Sequence, residues 1–196
     1  MNPRLWMVLF VMGTICWGIA LIAPTLNAIA IFSILREAGA GTEDSRVFLG
    51  PGSPAAANFA SGMVAQRLFQ MGALVAPAAA AVTISAFRRC TLPASPLLPM
   101  AGCVALWLAA LLTTLCASGA TLMVQSAVAP WRSAIRAQDA AGAEAAAQEL
   151  ASIHATAEWC QGPALLGWLC ATVAGAATLA TSVDRPLRIA DSESRP

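Results

Sequence analysis

Charge is scarce in this chain. Asp, Glu, Lys and Arg make up 11% of its 196 residues, against about 25% in an ordinary soluble domain, which excludes a surface turned chiefly to water. Lysine is missing altogether, so all eleven basic residues are arginine. The net charge is +1, which leaves neither a basic footprint for nucleic acid nor an acidic one for cationic partners. His154 is the single histidine and no CxxCH occurs, so haem held by two histidines is excluded. No GxSxG, HExxH or P-loop is present, and the hydrolase, zinc-protease and nucleotide-binding readings lose their signatures. The chain is therefore expected to be no enzyme and to carry no cofactor.

What is abundant is apolar: 58% of the residues, gathered into long blocks without charge. A helix needs about 20 such residues to cross roughly 30 Å of hydrocarbon. One block lies between Arg4 and Arg36, a second between Arg67 and Arg88, and a fourth between Glu158 and Asp184. The third, Cys90 to Trp131, begins with Pro93, Pro96 and Pro99 and has room for one helix. The expected fold is an all-α integral membrane bundle of four transmembrane helices, with spans at about 5–33, 62–87, 98–128 and 153–183. Arg4 with Ala28-Ile29-Ala30 loosely resembles a secretory signal and cleavage site. A signal's apolar region is only about 7–15 residues, however, and this one continues to Leu35, so an uncleaved first span is expected.

Between the first two spans, residues 36–57 hold Gly39, Gly41, Gly50, Pro51, Gly52 and Pro54, a breaker density that predicts a loop without helix. Residues 88–96 form a short proline-bearing connection, which makes spans two and three antiparallel neighbours. Arg132 to Glu158 is rich in alanine, the strongest helix former. Spans three and four are thus expected to run on beyond the bilayer as an extended helical hairpin that turns near Asp139 to Gly142. The polar tail, residues 184–196, is expected to be disordered.

Cytoplasmic loops are enriched in arginine. The side that would hold both termini carries Arg4, Arg88, Arg89, Arg185, Arg188 and Arg195. The other carries Arg36, Arg46, Arg132 and Arg136, with Arg67 at its edge, and collects the acids from Glu37 to Glu158. A multi-pass protein of the bacterial inner (cytoplasmic) membrane with both termini in the cytoplasm is the resulting expectation.

In lipid, helices associate through small residues and interhelical hydrogen bonds. Gly167, Ala171 and Gly175 lie four apart on span four, and Ala105, Ala109 and Ala110 lead into Thr113, Thr114, Ser118 and Thr121 on span three. Such rows predict packing against another helix, internal or in a second copy. The six cysteines, in spans and without CxxC spacing, are read as small buried apolar residues. Pro24 and Pro77 predict kinks within spans. Trp6, Trp131 and Trp159, at span ends, are expected as interface anchors.

Two groups of polar residues are candidate sites. His154, Glu158 and Gln161 share a helix face at the mouth of span four. They suit either an ion-paired cluster, with Arg136 or Arg132 across the hairpin, or a metal or proton site. Transition metals want three or four protein ligands, which favours the ion-paired reading and no metal. Asn27, Gln70 and Gln125 are intramembrane amides that could line a polar path or bridge helices.

Trp17-Gly18 with Ala23-Pro24, the stretch Ala60 to Phe69 (ASGMVAQRLF), Pro130 with Arg136, and His154 together carry a resemblance across most of residues 8–180. They resemble an uncharacterised bacterial four-helix membrane family related to the eukaryotic transmembrane protein 205. The chain departs from that pattern in a longer first loop and in Gln161 with Gly162-Pro163, where an Asn-bearing apolar stretch is more usual. The resemblance implies four-helix topology and no reaction. The expected role is structural, assembly or accessory, through helix packing with lipid, a second copy or membrane-protein partners. The alternatives are a small exporter or channel of oligomerised bundles and, third, a metal- or redox-dependent membrane enzyme.

Overall fold

The computed structural model describes residues 3–39, 41–50, 52–91 and 97–193, and the regular structure among them is entirely helical. Five helices follow one another: α1 (Pro3–Glu37), α2 (Glu43–Leu49), α3 (Pro54–Thr91), α4 (Leu97–Ala137) and α5 (Ala140–Glu193). All but α2 are long and apolar enough to cross a membrane. The protein is thus a multi-pass, four-helix membrane bundle. α1 packs along α3 and α4 along α5, while α1 and α5 touch little. The bundle is two helical pairs joined across α3 and α4.

α2 corrects the expectation of an irregular loop over 36–57. The glycines and prolines bracket a helix instead of interrupting one. Thr42 caps it, accepting the Ser45 N–H at 3.3 Å, and Glu43 and Asp44 put negative charge at the positive end of the helix dipole. Gly50, at φ 90°, ends it in a conformation that side chains resist. α3 then starts earlier than expected, because the Ser53 hydroxyl accepts the Ala56 N–H at 3.1 Å and Pro54 at the first helical position gives up no hydrogen bond.

The hairpin between α4 and α5 turns where the sequence predicts. Gln138 adopts φ 55°, and Asp139 opens α5 by accepting the Gly142 N–H at 3.0 Å. α5 also runs on as helix through the stretch from Asp184 to Glu193, where the polar composition had predicted disorder; the apolar Leu187, Ile189 and Ala190 interrupt that polarity. Residues 92–96, part of the predicted 88–96 connection, and 194–196, the end of the tail, lie outside the described residues.

One end of the bundle is held by aromatic rings. Trp107 of α4 lies 5.4 Å from Phe87 of α3, 5.9 Å from Phe10 and 6.0 Å from Trp17 of α1. Such pairs each contribute about 0.5–1.5 kcal/mol beyond area burial. The Trp17 indole donates to the Thr114 hydroxyl at 3.1 Å, and that hydroxyl donates to the Ala110 carbonyl at 2.8 Å. One relay therefore binds α1 to α4; interhelical hydrogen bonds in membranes average about 0.6 kcal/mol. The Trp107 N–H, fully buried, has no acceptor among the described residues.

The small residues of α5 face inward. A side chain at Gly167 would meet Ala110 and Thr113, and one at Gly175 would meet Trp107 and Phe10. The partner of this stripe is therefore internal. On α4 the inward face is Trp107, Ala110, Thr114, Ala117 and Thr121, at helical spacing, whereas Ala105 and Ala109 turn outward. Of the cysteines only Cys103 is buried, and Cys16, Cys116 and Cys170 lie on the outer surface, correcting their assignment to the interior. An apolar thiol meets little resistance facing lipid.

Candidate functional site

At the end of the bundle away from the aromatic rings, the two helical pairs part and leave a half-open cleft of about 940 Å³. That volume is at the upper end of the roughly 300–1,000 Å³ of small-molecule sites. Because α1 and α5 touch little, the opening lies at their side of the bundle. Each helix contributes the face that its period dictates. α1 supplies Thr25, Ala28, Ile29, Phe32 and Arg36; α3 supplies Gly62, Ala65, Gln66 and Phe69. α4 supplies Thr121, Val124, Gln125 and Val128, and α5 supplies His154, Ala157, Glu158 and Gln161.

Polarity is graded along the cleft. Its mouth carries Arg36, Glu37, Glu158 and the His154 imidazole, its middle is mostly apolar with the Gln66 and Gln125 amides on the wall, and its floor is the Gln161 amide donating to the Thr121 hydroxyl at 3.3 Å. Beyond that floor lies a void of about 20 Å³, between Pro24 and Gly72, and further along α1 and α4 come the aromatic rings around Trp107. On the wall, Gln125 donates to the Gln66 carbonyl at 3.5 Å, a long contact that leaves most of the amide's capacity free.

The mouth is lightly tied. His154 Nδ1 lies 3.2 Å from Glu158 Oε1, one helical turn on, and both side chains are more than half exposed. Arg36 donates to the Asn58 amide oxygen at 3.2 Å, and Ser33 donates to Glu37 at 3.3 Å. All four side chains thus retain unused hydrogen-bonding capacity. His154→Ala is expected to change stability by no more than about 0.5 kcal/mol, as exposed i,i+4 pairs do. Thermal unfolding in detergent would measure it, and a loss well above that figure would show a partner besides Glu158.

Of the predicted polar cluster, His154, Glu158 and Gln161 come together on the cleft wall. Arg136 does not join them; it pairs instead with Asp44 of α2, Nε to Oδ2 at 3.7 Å. Of the predicted polar path, only Gln125 lines the cleft. Asn27 sits about 200° around α1 from Thr25, exposed, its amide donating to the Ala23 carbonyl at 2.9 Å. Gln70 falls outside the α3 face that lines the cleft, and Gln66 stands there in its stead. The residues that sequence reasoning passed over are Arg36 and Glu37, read as the boundary of a span, and Gln66, one helical turn before Gln70.

Trp131 and Trp6 do more than mark span ends. Trp131 packs on Phe59 at 5.1 Å, in a second small core with Ile135 and Ala143, and Arg89 lies over the Trp6 ring at 5.8 Å. Trp159 projects outward at 82% exposure. Among the described residues no three His, Cys, Asp or Glu side chains converge as a metal site would need. No protein family, no curated protein and no solved structure matches this chain.

Proposed function

We propose that this protein is a non-conducting accessory component of a bacterial cytoplasmic membrane, with both termini in the cytoplasm, that acts by binding and not by catalysis. The observation that carries this reading is the closed interior. The cleft enters from one end, and the Gln161–Thr121 floor and the ring cluster around Trp107 stand between it and the other. A pore would need a polar route along the full thickness, and the amides that could have lined one point elsewhere: Asn27 faces outward and Gln70 lies off the cleft. The same closure leaves a one-ended compartment suited to holding a molecule or a partner segment.

Proteoliposomes containing the purified chain are expected to be no leakier to small cations, anions and neutral solutes than empty vesicles. Flux that rises with protein density, and that Gln125→Leu abolishes, would overturn this reading in favour of an exporter or channel. Stoichiometric metal in the purified protein, lost in His154→Ala, would instead point to a metal-dependent enzyme.

A further inference from the structure

The cleft's polarity gradient has a direction, and Trp159 fixes its depth. This indole, directly after Glu158, is 82% exposed, and exposed tryptophans on membrane helices settle at the headgroup level. The polar mouth, Arg36, Glu37, His154 and Glu158, is therefore at the lipid–water boundary, and the mostly apolar middle faces the acyl region. From Thr25 to Arg36 the α1 wall rises about 16 Å at 1.5 Å per residue, and the walls over residues 62–69, 121–128 and 154–161 rise about 10 Å, against roughly 30 Å of hydrocarbon. The cleft therefore fits within one leaflet.

We infer that the cleft is a binding site for a single phospholipid with a zwitterionic, amine-bearing headgroup, taken from the leaflet that it faces. The inference deepens the binding role proposed above and rests on it. An acyl chain gains nothing by leaving the bilayer for an equally apolar wall, because lipid tails already solvate it. Selectivity must then come from the headgroup. Arg36 presents a planar donor fork suited to a phosphate, while Glu37 and Glu158 present carboxylates to an ammonium. A purely anionic headgroup would satisfy Arg36 and be repelled by both glutamates. A cation without phosphate would leave the guanidinium without its counter-charge.

The test uses the full chain, extracted in mild detergent and exchanged into mixed vesicles of phosphatidylethanolamine and phosphatidylglycerol, with retained lipid counted by native mass spectrometry. About one phosphatidylethanolamine per chain is expected, preferred at least five-fold over phosphatidylglycerol. Glu37→Gln with Glu158→Gln should remove or reverse that preference, and Arg36→Gln should lower retention of both lipids. Gly62→Phe adds bulk from the cleft wall: a Cβ there meets nothing within 4 Å, and the change replaces a poor helix former. Retention should fall at least ten-fold in it, with the melting temperature unchanged or raised. Lipid that mirrors the vesicle composition, lipid unaffected by Gly62→Phe, no lipid at all, or a second copy of the chain shielding the cleft would each overturn the inference. Vesicle flux with one lipid still held would sink the non-conducting reading and leave the lipid site standing.

Discussion

Replacing Gly72 by leucine is expected to cost about 3 kcal/mol or more and to separate α1 from α3, whereas Gly62→Leu, ten residues earlier on the same helix, should be neutral or stabilising. The contrast comes from what each new side chain would meet. A Cβ at Gly72 would lie 2.7 Å from Cγ of Pro24 and 2.8 Å from the Ala20 carbonyl oxygen. Neither is the movable end of a side chain. Ala20 is also the residue whose carbonyl Pro24, four residues on, leaves without its helical donor, so the proline frees an oxygen and the glycine lets α3 come up against it. Overpacking ordinarily costs about 1–3 kcal/mol, and here the obstruction is backbone and a rigid ring, which puts the loss at the upper end. Unfolding in mixed detergent, followed by far-ultraviolet circular dichroism, would compare the two. Equal stability of Gly72→Leu and Gly62→Leu would mean that α1 and α3 do not meet at Pro24.

The four long helices were legible in the sequence because a bilayer imposes so coarse a condition: length and absence of charge decide it, and the positions of Arg4, Arg36, Arg67 and Arg88 delimit the blocks. The α4–α5 hairpin was legible for a local reason, the alanine-rich run broken only near Asp139. α2 was not. Its evidence is three small devices, the Thr42 cap, Glu43 with Asp44, and Gly50, each of which also reads as a loop residue. The cleft was half legible. His154, Glu158 and Gln161 are neighbours by helical spacing, which sequence gives directly. Their meeting with Arg36, Gln66 and Gln125 depends on how the two helical pairs pack, which spacing within one helix does not give. Asn27 and Gln70 were chosen for their chemistry; helical phase turns Asn27 away from Thr25, while Gln70 stands one turn along α3 from Gln66, the amide that lines the cleft.

Those rings support the second large expectation, that Trp107→Ala loses about 3–5 kcal/mol, the ordinary cost of emptying a buried aromatic site, while Trp107→Phe loses less than about 1.5 kcal/mol. Trp107 touches Phe10, Trp17 and Phe87 at once, so its removal loosens α1, α3 and α4 together, and a side chain at Gly175 of α5 would meet it as well. Phenylalanine keeps a ring among these contacts and removes a buried N–H that has no acceptor among the described residues. An unsatisfied donor of that kind costs about 1–3 kcal/mol, which offsets much of the smaller ring's lost contact. Trp17 makes the converse case. Its N–H is engaged by Thr114, so Trp17→Phe loses an interhelical hydrogen bond as well as area, leaving the Thr114 hydroxyl its bond to the Ala110 carbonyl alone, and should cost more than Trp107→Phe. Denaturant-midpoint measurements on the three variants give the ranking directly, and a Trp17→Phe variant as stable as Trp107→Phe would show that the Trp17–Thr114 bond does not hold α1 to α4. Because the ring cluster ties α1, α3 and α4 together at the end away from the cleft, Trp107→Ala is also expected to weaken lipid retention from a distance, whereas Trp107→Phe should leave it intact.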